Sequence, residues 1–200
     1  MEKEEFVENG WGGGVTHDGA TGIEQRTSEP LDASLFRLLA ETGMRIPFCM
    51  DALQERMAEV LGVPIVTQRI PVATSSGTGA VIYDSTEKSY KIMVQGATIC
   101  RHQDYILGHE LVHIWRDHLN DPATEKTRFI CSRTRIALPS HSSPAEQAKI
   151  ARLNEMETEA DAGGLILSSW TKRSRPSYLQ VSDDPVLADL TYTLMGSRWK

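Results

Sequence analysis

His109, Glu110 and His113 stand in the pattern His-Glu-x-x-His, inside the apolar stretch Tyr105–Trp115. On a helix, residues four apart stack on one face. Both imidazoles would then turn toward one point and hold a single zinc ion, with Glu110 placed to take a proton from a water that the metal activates. With about 100° per residue and His109 at zero, His113 falls at about 40° and Glu110 at about 100°. Leu107, Leu111 and Ile114 fall opposite, between about 140° and 200°, and Trp115 follows at about 240°. One side of the helix should therefore pack into the core while the other presents ligands. Gly108, near about 260°, leaves room for a neighbouring backbone to come close.

A catalytic zinc needs a third protein ligand and keeps a fourth position open. His118 points to about 180° on the same helical wheel, the wrong side. The longer form His-Glu-x-x-His-x-x-Gly-x-x-His is absent, because Arg116 stands where its Gly should be and Leu119 where its His should be. Downstream, Glu155-Met-Glu-Thr-Glu-Ala-Asp161 places Glu157 and Asp161 four apart, on one face of a second helix. Glu157 is the expected third ligand. Asp161 is the expected acceptor for the outer N–H of a ligating histidine, His109, which fixes its tautomer and raises its basicity. Glu159 lies about 200° from Glu157 and cannot face the same point. Choosing Glu155 as ligand would leave Asp161 without a role.

His-Glu-Leu-Val-His followed by Glu157-Thr-Glu-Ala-Asp161 resembles the ImmA/IrrE family of zinc metallopeptidases, within the gluzincin-like zincins. The resemblance spans about Ala80 to Leu167. It implies His109, His113 and Glu157 as zinc ligands, Glu110 as general base, and a helix-turn-helix repressor as the protein cleaved or inactivated. Two features differ from the family pattern. Gly163-Gly164 replace a common Phe-Ala, and adjacent glycines weaken a helix but let it pack closely on the His-Glu-x-x-His helix. The interval from His113 to Glu157 is long, which suggests an inserted loop.

The elements that must position these residues can be read from pattern. Asp32 is placed to cap a helix over Ser34–Thr42 with Gly43 as its stop, and Asp51 to cap another over Ala52–Leu61 with Gly62 as its stop. After the run Ile65–Val72, Ala80–Tyr83 and Tyr90–Val94 read as strands joined by the polar loop Ser85–Ser89. The metal helix should cover about His102 to His118. Ser143-Pro-Ala-Glu146 is a capping box with Pro at the first helical position, opening a helix to about Ser169. A last helix is expected near Pro185–Met195. The fold class expected is α+β and zincin-like, a small antiparallel sheet packed on the metal helix and a second, Glu-bearing helix. Residues 1–30, rich in glycine around Trp11, read as a tail lacking order, with Trp11 docked on the protein's own surface. Residues 31–200 read as one metallopeptidase-like domain.

The 200 residues can bury a full core, and a net charge of -6 gives no global pull toward nucleic acid or anionic membrane. The basic residues Lys126, Arg128, Arg133 and Arg135 read as a solvated loop rather than a nucleic-acid surface. Cys49, Cys100 and Cys131 form no metal-knuckle spacing and read as free thiols of a cytoplasmic protein. No apolar run approaches a membrane span, and the N-terminus lacks the apolar segment of a signal peptide.

The function expected is a zinc-dependent endopeptidase acting on a protein or peptide. An extended substrate would lie along an edge strand, Tyr90–Val94 or Ala80–Tyr83. His141, Tyr105 and Tyr178 are candidates for the oxyanion donor. The alternative is a metal-organised regulatory module that binds a partner and cleaves nothing, against which the intact Glu110 speaks, because a structural site needs no base.

Overall fold

A computed structural model describes residues 28–70, 78–124 and 142–172, and the backbone of 128–131. The tail to residue 27 with Trp11, the helix expected at Pro185–Met195, and the side chains of Lys126, Arg128, Cys131, Arg133, Arg135, His141 and Tyr178 lie outside the described residues. Among those described, no helix is long and apolar enough to cross a membrane.

The fold is α+β. Helix α1, Leu31–Thr42, buries Leu35, Leu38, Leu39 and Thr42 on one face. Helix α2, Met50–Leu61, buries Met50, Leu53 and Met57. Each ends at a glycine in the left-handed region, Gly43 at φ 66 and Gly62 at φ 65, where a side chain would be strained. Both helices begin earlier than the pattern suggests. Pro30 and Cys49 hold the N-cap positions, so Asp32 and Asp51 lie inside the first turn, where a carboxylate still complements the helix dipole.

Four strands follow: β1 (Ile65–Ile70), β2 (Gly79–Asp84), β3 (Ser89–Gln95) and β4 (Arg128–Cys131). They form one sheet in the order β1-β3-β2-β4. The β2–β3 hairpin forms as expected, with Asp84 accepting the turn amides of Thr86 and Glu87 at 2.9 and 3.1 Å. The sheet is mixed, however, and not antiparallel throughout. β1 pairs in parallel with β3, from Ile65 opposite Tyr90 to Ile70 opposite Gln95. Strand patterning fixes which face is buried, not which neighbour a strand takes, so this placement escapes a sequence reading.

Helix α3, Cys100–Trp115, runs through the core and is buried on every side from Ile106 onward. Trp115 donates its indole N–H to Ser34 on α1 at 3.1 Å. The helix stops at Trp115, three residues short of expectation. Asp117 takes a left-handed conformation, φ 56, and redirects the chain into a short turn at His118–Asn120.

Helix α4, Pro144–Ser169, opens with the expected capping box. Ser143 Oγ accepts the Glu146 amide at 3.3 Å, and Glu146 accepts the Ser143 amide at 2.7 Å. Its buried face, Met156, Ala160, Gly163, Gly164 and Leu167, lies on α3. The glycine pair sets that spacing. A Cβ on Gly164 would stand 2.9 Å from the His109 amide nitrogen and 3.0 Å from the Tyr105 carbonyl oxygen. Those are backbone atoms of α3 and cannot swing aside. Gly164→Ala should therefore push the helices apart and cost about 1–3 kcal/mol of stability. Chemical denaturation checks this, and an unchanged midpoint would show that the contact tolerates a methyl.

Candidate metal centre

The close α3–α4 crossing brings His109, His113 and Glu157 together. His109 Nε2 and His113 Nε2 face each other at 3.0 Å. Glu157 Oε2 lies 3.5 Å from His109 Nε2, and Oε1 lies 3.6 Å from His113 Nε2. Ligand atoms about 2.0–2.1 Å from an ion sit roughly 3.3–3.4 Å apart, and these three approaches, two of them to different oxygens of Glu157, bracket that spacing. The donor set, two imidazole nitrogens and one carboxylate, can hold a small divalent ion with one position left open. Both histidines are fully buried, while the Glu157 side chain is 23% exposed, so the cluster opens to solvent on the α4 side.

Behind each imidazole lies a different kind of group. His109 Nδ1 lies 3.0 Å from Asp161 Oδ1. Tyr105 donates its hydroxyl to the same oxygen at 2.7 Å. Asp161 therefore sits where the i, i+4 spacing places it, and Tyr105, a candidate oxyanion donor on sequence grounds, is instead tied to it. His113 Nδ1 lies 3.0 Å from Nδ1 of His118. His118 Nε2 in turn lies 3.1 Å from Glu159 Oε2. Glu159 Oε1 pairs with Arg116 Nη2 at 2.6 Å, and Arg116 Nη1 donates to the Glu29 carbonyl at 3.0 Å.

His118 is thus a neighbour of the cluster that the helical wheel misplaces. The wheel assumes that α3 continues to His118. The chain turns at Asp117 instead, and the His118 ring swings back against His113. Glu159 does face away from the ion site, as its 200° offset requires, but the relay occupies that side. The signal open to a reader was the third histidine so soon after His113, with an arginine beside it.

Glu110 is fully buried beside the cluster. Neither of its carboxylate oxygens has a hydrogen-bond partner among the described residues. Burial pushes its carboxyl up to about 8, opposed by His109 and reinforced by the nearby charge of Glu157. Gly79, the first residue of β2, presses on it. A Cβ there would stand 2.5 Å from Ile106 Cγ2 and 2.7 Å from Glu110 Oε1. The sheet thus covers this carboxyl group from above while α3 carries it. Burial also keeps the His113 imidazole neutral, helped by His109 and His118, and the neutral ring is the form that ligates a metal. For Glu159 burial works the other way, but the bond to His118 and the charge of Arg116 outweigh it and keep the carboxylate ionised.

Neither strand expected to receive a substrate has a free edge. β3 lies between β1 and β2, and β2 lies between β3 and β4. Among the described residues the outer strands are β1 and β4, and Cys131 of β4 pairs with Gly79, the residue against Glu110. A cavity of about 830 Å³ opens near the relay, lined among others by Glu29, Arg116, His118, Arg152 and Glu159. His109, Glu110, His113 and Glu157 do not line it.

Neither Cys49 nor Cys100 belongs to the cluster. No family model matches this chain, and no curated protein matches it.

Proposed function

We propose that the chain is a zinc-dependent endopeptidase with a zincin-like centre, in which His109, His113 and Glu157 hold the ion and Glu110 is the general base. One observation carries the reading. A buried carboxyl group with no hydrogen-bond partner among the described residues stands beside a cluster whose donor atoms, one each from His109, His113 and Glu157, lie within 4.8 Å of one another. A structural metal site has no use for such a group, and an unpaired buried carboxylate is costly to keep.

When bound, zinc lowers the pKa of a water toward ~7 and polarises the scissile carbonyl. Glu110 takes the proton of the attacking water and delivers it to the amine that leaves. Asp161 and His118 hold the two imidazoles, and the buried walls keep bulk water from the base. The outer edge of β4 is the surface on which an extended peptide would add, because β4 pairs with β2 opposite Gly79. The substrate is a protein or peptide, and on the family resemblance a helix-turn-helix regulator.

The experiment is peptide cleavage by the full chain against a random library, with and without a chelator. Zinc-dependent cleavage that phenanthroline stops and added zinc restores is the expected result. One bound metal per chain with no cleavage of any peptide would replace this reading with a metal-organised binding module.

A further inference from the structure

We propose that His118 is a positioning residue, the acceptor that fixes His113 with Nε2 turned to the metal, and that Glu159, braced by Arg116, holds His118 in that role. This deepens the metal reading above and rests on it.

The argument is one of counting protons along a line of atoms. A metal on His113 Nε2 takes that lone pair, so the ring's proton must sit on Nδ1. That N–H is buried and needs an acceptor. The atom facing it, at 3.0 Å, is Nδ1 of His118. His118 must therefore offer a lone pair there and carry its own proton on Nε2. That proton points to Glu159 Oε2, 3.1 Å away. An imidazole is an ambiguous partner, since either nitrogen can carry the proton. The carboxylate removes the ambiguity, and Arg116, 2.6 Å from its other oxygen, removes the carboxylate's freedom to turn. The two ligands are thus supported differently, His109 directly by a carboxylate and His113 by a carboxylate acting through a second ring. His118 is 2% exposed and Arg116 is 6% exposed, so water does not substitute readily for either.

Two variants separate positioning from mere packing. In His118→Asn the amide oxygen lies where His Nδ1 was and can still accept from His113. His118→Leu fills similar space and accepts nothing. Zinc affinity of the full chain is read by competition with a chromophoric chelator. His118→Leu should bind zinc about 10–100-fold more weakly, and His118→Asn should recover to within about fivefold of the wild type. Zinc binding by His118→Leu at wild-type strength, or by His118→Asn no better than by His118→Leu, overturns the proposal.

A second measurement needs no variant. Proton–nitrogen correlation spectra of the zinc-loaded wild type should show His113 protonated on Nδ1 and His118 on Nε2. A proton on Nδ1 of His118 overturns the assignment while leaving the metal centre intact. Failure of the wild type to bind zinc at all overturns the metal reading itself, and the positioning role with it.

Discussion

Glu110→Gln should leave zinc bound at one ion per chain and lower peptide hydrolysis roughly 1000-fold, in the range that a general base contributes. Glutamine has the size of glutamate and no charge or basicity, so it tests proton transfer and little else. Glu110 is not one of the three ligand-bearing side chains, which is why metal content should hold. Packing should hold as well, because Gly79, whose backbone lies against this side chain, meets the same shape. Metal analysis beside a cleavage assay checks both halves. Hydrolysis within tenfold of the wild type would remove Glu110 as the base, since losses at the bottom of that range are already about 100-fold.

Glu157→Ala should abolish metal retention after dialysis, weakening zinc binding by at least about 1000-fold, beyond the 10–100-fold expected for an outer-shell partner. Two imidazoles 3.0 Å apart remain, but they lie on one helix and span only one edge of the coordination sphere. The carboxylate is the sole ligand that α4 supplies, so its loss also uncouples metal binding from the α3–α4 contact. Zinc should raise the melting temperature of the wild type, because a ligand that binds only the folded state stabilises it, and should leave the variant unmoved. An unchanged metal content in Glu157→Ala would place the third ligand elsewhere.

What the sequence carries and what it hides divide along physical lines. The placement of His109, Glu110 and His113 and of the Glu157–Asp161 pair is legible because they lie within regular helices, where spacing becomes direction. Gly43, Gly62 and the Ser143–Glu146 box are legible because the backbone at helix ends has few solutions. Gly163 and Gly164 are legible as well, since paired glycines that weaken a helix invite a close neighbour, and the α3 backbone lies against Gly164. His118 is hidden by a single residue, Asp117, whose left-handed φ ends the periodicity on which the wheel depends. The relay through Glu159 is hidden for the same reason, since its geometry needs that turn. The sheet is only half legible. The hairpin is a local object, while the partner of β1 and the covering of β2 by β4 are long-range choices that alternation along a strand does not encode.

The strand order bears on how the molecule assembles. β1 and β2 run in opposite directions without touching, because β3 lies between them. β2 and β3 join through a tight turn, so their pairing closes a short loop and forms early. β1 has no partner until β3 exists, and reaching it closes a far longer loop. The hairpin is therefore the template on which β1 is laid.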